Sequence, residues 1–333
     1  MVKIGNIELG DYPLLLAPME DVSDPPFRKL CKEQGADMVY TEFISADGLV
    51  HEAVNSLKKL EIFDYERPIG IQYFGGQIEN MVEAAEIIES KNPDLIDINF
   101  GCPVAKVACR LAGAGLLRDI PHMVRLTEAI VKSTKRPVTV KTRLGWDHSS
   151  INIVEVAERL QDVGVQALTI HARTRQQMYK GEADWTWIAT VKENPRLHIP
   201  VFGNGDVDSP QKALEYRNRY GADGIMIGRA SIGYPWIFRE IRHYFETGAI
   251  LPSPDIHERV RAAGQHLSDS LAWKGPKLGV LEMRRHYSAY FRDLPNIKPF
   301  RSKLVTWMEP DELFEVIADI EKEYAGYEAV SID

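Results

Sequence analysis

A chain of 333 residues with 44% apolar content can bury one large core and a smaller second one, and near-average glycine and proline exclude a disordered protein. A formal charge of -8 argues against a general nucleic-acid binder, and three cysteines, Cys31, Cys102 and Cys109, give no disulfide framework and no zinc or iron–sulfur spacing. No stretch of 18 apolar residues predicts a membrane span, and MVKIGNIELGDYP lacks a signal peptide's apolar core, so a cytoplasmic monomer is the expectation.

In chain order, eight short apolar runs recur: LLLAP (14–18), MVYTEF (38–43), PIGIQYF (68–74), DLIDINF (94–100), PVTVKTR (137–143), VQALTIH (165–171), IPVFGNG (199–205) and DGIMIG (223–228). They are near-continuous rather than alternating, the pattern of parallel strands covered on both faces. Helical spacing of apolar residues predicts helices over 80–91, 120–133 and 152–164, the last closed by Gly164. Asp208-Ser209-Pro210 reads as a helix cap followed by proline in the first turn. Eight such units over residues 1–245 predict a (β/α)8 TIM barrel. A doubly wound sheet would need fewer strands and a glycine-rich first turn, which LLLAPMEDVSD is not. After WIFREIRHYFETG (236–248), Pro252 and Pro254 break the chain. HERVRAAGQHLSDSLA, KLGVLEMRRHYSAYFR and PDELFEVIADIEKEYA then read as amphipathic helices of an appended helical domain over 255–325.

In a barrel of this type the chemistry lies at the C-terminal ends of the strands. The residues there are Pro18, Met19, Glu42, Gln72, Asn99, Lys141, Arg143, His171, Asn204 and Arg229. Asn204-Gly205-Asp206 and Gly228-Arg229 follow the seventh and eighth strands, where backbone N–H groups and a cation can hold a phosphate. The same glycines also suit plain tight turns. Lys141 is a candidate for stabilising negative charge on a reduced flavin, or for a salt bridge at the mouth. The Gln72 amide can both donate to and accept from a flavin's pyrimidine edge; its structural alternative is to cap a strand end. His171 can contact flavin or substrate, or simply close its strand. Cys102, in NFGCPVAKV, can deliver a proton in a partly dry pocket with Lys106 and Arg110 nearby in sequence, or can pack as a buried thiol. Cys31 and Cys109 read as packing. Arg143, Arg173 and Arg175 bring three guanidiniums toward one mouth, where they can meet RNA phosphates or a base. Trp146, Met178, Tyr179, Trp185 and Trp187 can flank an extruded base or pack as a lid. No histidine–carboxylate spacing predicts a metal.

The stretches LAPMEDVSDPPFRKLCKEQGA, IGIQYFGG, DLIDINFGCPVAKVACRLAGAGLL, VTVKTRLGW, LTIHARTRQQMYKGEADW, PVFGNGDV and GADGIMIGRASIGYPWIFREI resemble the tRNA-dihydrouridine synthase family, most of all its bacterial B-type members. They span nearly the whole barrel, and GCPVAKV joined to HARTR is the most specific part. The resemblance implies an FMN-dependent oxidoreductase that takes reducing equivalents from NADPH or NADH and adds hydride to C6 of a tRNA uridine. It implies Cys102 as the donor of the C5 proton. It places flavin contacts on Pro18, Met19, Gln72, Lys141 and His171, and flavin-phosphate contacts on Asn204, Gly205, Asp206, Gly228 and Arg229. Asn99, Arg143 and Arg175 fall on substrate-side positions, with Arg173 beside them.

Charge is distributed unevenly along the chain. Residues 239–306 hold 12 Lys/Arg against 7 Asp/Glu, and residues 307–333 hold 9 acidic residues and one basic. The first segment predicts a tRNA grip through phosphates and shape, with Lys274, Lys277, Arg284 and Arg285 as candidates; ordinary solvated helix faces are the alternative. Two other functions fit the barrel less well: an FMN oxidoreductase for a free small molecule such as a pyrimidine, and a non-catalytic RNA-binding barrel. The basic helical segment argues against the first, and the set Cys102, Lys141 and His171 against the second.

Overall fold

The computed structural model describes residues 1–104, 108 and 111–327. Lys106, Cys109 and Arg110 lie outside the described residues. All eight apolar runs form parallel strands: β3 (Leu14–Leu16), β4 (Val39–Tyr40), β6 (Ile69–Phe74), β7 (Leu95–Phe100), β8 (Val138–Arg143), β9 (Ala167–His171), β10 (Val201–Asn204) and β11 (Gly224–Ile227). They pair in the order β3-β11-β10-β9-β8-β7-β6-β4. The ring closes through a parallel bridge between Leu15 and Met38, with the Leu16 N–H donating to Met38 O at 2.9 Å. A short β5 (Ile44–Ser45) extends the edge of β6.

Helices cover the outer faces. They are α1 (Pro25–Glu33), α2 (Ala46–Val50), α3 (Val54–Lys58), α4 (Ile78–Glu89), α5 (Ile120–Ser133), α6 (Ile153–Asp162), α7 (Thr186–Lys192), α8 (Pro210–Tyr220) and α9 (Ile237–Thr247). The caps follow the sequence. Ser209 accepts the Lys212 N–H, Pro210 opens α8, and Gly221 ends it in the left-handed region. Gly164, at φ +103, follows α6.

The apolar pattern does not mark the hairpin β1 (Val2–Ile4) and β2 (Ile7–Gly10). Its Ile4 and Leu9 pack with Leu15, Met38, Tyr40, Leu95, Phe202 and Met226, an apolar plug that fills the barrel's N-terminal half. Polar chemistry is thereby left to the C-terminal half.

The remaining helices are α10 (Ile256–Lys274), α11 (Pro276–Tyr290), α12 (Lys298–Thr306) and α13 (Pro310–Glu323). Helix α12 is the one unanticipated; Leu304 is its only buried residue among those described, so its apolar periodicity is weak. Helix α10 packs on α1 of the barrel. At that seam Phe27, His266, His286 and Tyr290 cluster around stacked and edge-on rings.

Here the charge-based reading of the helical segment needs correction. The Lys274 side chain is 7% exposed and is ion-paired with Asp24, itself 2% exposed, and with Glu282. It fastens the helices to the barrel rather than presenting charge to a partner. Arg285 also reaches back, to Glu20 O at 3.3 Å and Asp21 Oδ2 at 3.4 Å, and Arg284 reaches the carbonyls of Thr306 and Trp307. Lys277 alone of the four is exposed without such a contact. Among the described residues no helix is long and apolar enough to cross a membrane.

Removing one partner of a buried pair leaves an uncompensated charge. Lys274→Met is therefore expected to lower the unfolding free energy by about 3 kcal/mol in a urea titration at neutral pH. A change within error would mean that Asp24 and Glu282 are hydrated.

Candidate active site

At the C-terminal end of the barrel lies a cavity of about 590 Å³. Pro18, Met19, Lys141, His171, Arg173, Asn204, Gly205, Asp206, Gly228 and Arg229 line it. Residues from the loops after β3, β8, β9, β10 and β11 therefore converge, as parallel register requires: Arg143 pairs with His171, and His171 with Asn204.

The cavity is built for an anion. Asp206, held at φ 59, spends its carboxylate on Arg173 Nη2 (2.6 Å), Arg229 Nη2 (3.1 Å) and the Ala183 N–H (2.8 Å). It orients two guanidiniums; Arg173 also donates to the carbonyls of Lys180 and Gly181, which leaves its Nη1 as the open group. Lys141 Nζ donates to Asn204 Oδ1 at 3.2 Å, and the Asn204 amide donates to Met226 O at 2.8 Å. Three cations thus share the cavity with Asp206 and with Asp208, which is exposed at the rim. Gly205, at φ +121, could carry no side chain, since a Cβ would come within 2.9 Å of Ala183 Cβ, so its backbone stays accessible at the rim.

Two buried polar atoms here have no partner: His171 Nε2 and Arg173 Nη1. Burial, reinforced by Arg143, Lys141, Arg173 and Arg229, drives the His171 pKa well down. The ring is neutral, with one nitrogen waiting for a ligand. Burial and then Arg143 lower the Lys141 ammonium to about 8. An orphaned imidazole nitrogen, an orphaned guanidinium N–H and an open glycine backbone fit a flavin cofactor.

Gln72 is fully buried beneath this cavity and belongs to a chain of hydrogen bonds. Asp97 Oδ1 accepts from Thr139 Oγ1 at 2.5 Å, and its Oδ2 accepts from Gln72 Nε2 at 2.6 Å. Gln72 Oε1 accepts from Asn99 Nδ2 at 2.8 Å. Asn99 Oδ1 then accepts the N–H groups of Gly101 and Cys102, at 2.9 and 2.8 Å. A carboxylate only accepts, so Gln72 must turn its NH2 toward Asp97 and its oxygen toward Asn99. Asn99 must in turn offer its oxygen to the cysteine loop. Burial pushes the Asp97 carboxyl up to about 6, against the donors Thr139 and Gln72. Sequence reasoning named Gln72 and Asn99 but passed over Asp97. The available signal was an acid in DLIDINF, two residues before Asn99 and so on the same strand face.

Cys102 is 6% exposed and lines a second cavity of about 920 Å³, with Phe43, Phe74 and His122. Burial raises its pKa, outweighing the lowering effects of the Val104 backbone, Arg143 and Lys141. Sγ is a protonated thiol at neutral pH, an acid rather than a thiolate nucleophile. Arg143 is 2% exposed and donates to Gly101 O (2.8 Å), Thr174 O (3.0 Å) and Met178 O (2.8 Å). It ties the cysteine loop to the loop after β9. Arg173, expected on the substrate side, lines the first cavity, where it pairs with Asp206. Arg175 lies over Trp146. Tyr179 stands over His171 and under Arg229. Trp185 is core, donating to Gly205 O at 2.9 Å. Glu42 is held by Lys59 at 3.3 Å and the Asp21 N–H at 2.7 Å. Cys31 is buried in α1.

A family model described as dihydrouridine synthase (Dus) matches residues 15–324. The tRNA-dihydrouridine synthase B of Pseudomonas putida (strain KT2440) is 41% identical over 303 residues, 91% of this chain and 89% of that protein. The protein of the same name from Pseudomonas aeruginosa (strain PAO1) is 39% identical over 311 residues, 93% of each. Among solved structures, 2-naphthoyl-CoA reductase overlays with a TM-score of 0.56 at 11% identity, over 73% of this chain and 51% of that one. Histamine dehydrogenase from Rhizobium sp. 4-9 overlays with a TM-score of 0.53 at 15% identity, over 79% of this chain and 50% of that one. At these identities the likeness to the solved structures is one of fold.

The relay generates a test. Asn99→Asp sets an acceptor against Gln72 Oε1 and is expected to speed iodoacetamide alkylation of Cys102 in flavin-free protein. Asp97→Asn combined with Asn99→Asp lets the Gln72 amide turn over and should restore the parental rate. Additive loss in the double variant would show that Asp97 does not set the polarity.

Proposed function

The chain belongs to the dihydrouridine synthase family, and from that premise we infer that it reduces uridine in tRNA to dihydrouridine with a bound flavin. The observation that carries the reading is the pairing of a cation-lined cavity with a protonated thiol that lines a second cavity, within electrostatic reach of Lys141 and Arg143, on a loop held by Asn99 and Arg143. FMN is the flavin this site suits, because its phosphate matches the Arg173–Asp206–Arg229 corner. NADPH or NADH is the reductant. Bound in the cavity, the reduced flavin supplies the hydride that adds to C6 of the uracil.

The chain's own residues do the rest. Hydride addition at C6 leaves an electron pair shared between C5 and O4. Cys102 Sγ gives its proton to C5, so one hydride and one proton saturate the double bond and the cysteine is left as thiolate. Arg143 and Lys141 already act on that sulfur in the direction that favours its charge, and solvent returns the proton. Lys141 would supply a positive charge to offset the negative charge that a bound flavin gains on reduction, and His171 Nε2 would offer it a neutral hydrogen-bonding atom. The target base must leave its stack to arrive here, and the loops bearing Arg143, Arg173 and Tyr179 shape the opening. The helices over 256–323 contact the tRNA body, with Lys277 free to meet a phosphate.

Cys102→Ala is expected to bind flavin as the parent does and to lose nearly all dihydrouridine formation. Mass spectrometry of nuclease-digested tRNA from a strain lacking the gene, complemented with each version, reads this directly. Full restoration by the variant would remove Cys102 from the mechanism. A second outcome follows from Lys141. Its cation contributes to holding the flavin, so flavin affinity should fall as pH rises through about 8. The fall, followed by flavin fluorescence, should level off near the affinity of the enzyme without this charge. Lys141→Gln should bind more weakly and show no such slope.

A further inference from the structure

Most arginines at the barrel mouth are already engaged: Arg143 with three carbonyls, Arg173 and Arg229 with Asp206. Arg118 and Arg175 are different. Arg118 ends the 3-10 turn Gly113–Arg118 that follows β7, Trp146 follows β8, and Arg175 follows β9. The three side chains meet in one stack: the Arg118 guanidinium lies 4.3 Å from the Trp146 ring centroid and that of Arg175 4.6 Å. Among the described residues no carboxylate pairs with either. The neighbouring Arg159, by contrast, is closed by Glu155 at 2.8 Å. Arg175 Nε is buried with no partner. Arg118 and Trp146 also form one wall of a third cavity, about 490 Å³, which Asn152 helps to line.

Two like charges held beside one indole repel each other. The ring's face offsets part of that repulsion but provides no counter-ion. Stacking also fixes each guanidinium plane, so the N–H fork is pre-organised for a flat or tetrahedral oxyanion. The strand order puts this stack on the β7–β9 arc of the rim, beside the anion cavity, to which β8 and β9 contribute Lys141, His171 and Arg173. Cys102, in the loop after β7, lies on the same arc. Arg118 and Arg175 therefore stand on the rim beside the loop that carries the thiol.

We propose that the Arg118–Trp146–Arg175 stack holds a backbone phosphate of the RNA next to the uridine being reduced. The inference rests on the tRNA reading above and extends it. It assigns Arg118 and Trp146 to substrate binding and fixes which side of the mouth the strand crosses. The stack touches no reacting atom, so its contribution appears in binding and not in the chemical step.

Arg118 is exposed, so Arg118→Gln leaves folding intact. Binding of unmodified tRNA is measured on the flavin-loaded, oxidised enzyme without reductant, across a salt series. The expected result is weaker binding at low salt and a log K against log salt slope shallower by about one unit. KM for tRNA rises while kcat and the rate of flavin reduction by NADPH stay at the parental values. Trp146→Leu, which unstacks both guanidiniums, should shift binding in the same direction. An unchanged salt slope in an enzyme that still makes dihydrouridine overturns the proposal and leaves the activity standing. A defect confined to KM for NADPH, and absent with NADH, would also overturn it by assigning the stack to the dinucleotide's 2′-phosphate. A parent enzyme that makes no dihydrouridine would instead sink the tRNA reading itself.

Discussion

The carboxylate of Asp97 can only accept hydrogen bonds, and it sits inside the barrel where every polar atom must find a partner. From that single constraint the directions of two side-chain amides and of the cysteine loop follow. Gln72 presents nitrogen below and oxygen above, Asn99 presents nitrogen inward and oxygen outward, and the loop carrying Cys102 is held by two backbone N–H groups pointing at Asn99. The arrangement works because the N-terminal half of the barrel is sealed by apolar side chains and by the β1–β2 hairpin. Water does not reach Asp97 from below, so a misdirected amide would cost about 1–3 kcal/mol for each orphaned group. The relay therefore has one low-energy polarity, and the position of the cysteine loop is inherited from it.

Above the relay, electrostatics separates two kinds of group. Lys141, Arg143, Arg173 and Arg229 stay cationic. The acid and the imidazole among them stay neutral: burial raises the Cys102 pKa and depresses that of His171. Both neutral states arise because the site excludes water, but the cations act differently on each. They favour loss of the thiol proton and oppose gain of a proton by the ring. Cys102 is thus poised to release its proton to a substrate, while His171 offers hydrogen bonding without added charge. The acidic balance of the whole chain, -8, is compatible with this because few of its carboxylates line the cavity: Asp206, paired with Arg173 and Arg229, and Asp208, exposed at its rim.

The barrel was legible in the sequence because strands buried on both faces leave unbroken apolar runs, and all eight runs became strands. The hairpin and α12 were not legible. Three- and four-residue strands such as VKI and IELG carry too little periodicity, and α12 buries only Leu304 among its described residues. Polar residues at strand ends were equally visible, and nine of the ten expected flavin contacts that line one cavity, Pro18 through Arg229, sit at such ends or just beyond. Gln72 lies beneath it instead, with its amide committed to Asp97 and Asn99. Asp97 escaped notice because its significance depends on a cross-strand neighbour, with β6 and β7 placing Gln72 beside it. Strand register, unlike strand identity, is not written in a run of apolar letters.

Charge shows the same limit more sharply. Counting cations along residues 239–306 correctly marks an excess but does not say which charges are available. Lys274 is consumed by Asp24 and Glu282, and Arg285 by the barrel. At the mouth, Arg143 is consumed by backbone carbonyls. Arg118 drew no attention in the sequence, yet it faces an indole and no acid. Availability of a cation is set by its partners, and partners are a property of the fold. A guanidinium with an aromatic neighbour and no carboxylate is therefore more informative about an anionic substrate than a larger cluster whose charges are already paired.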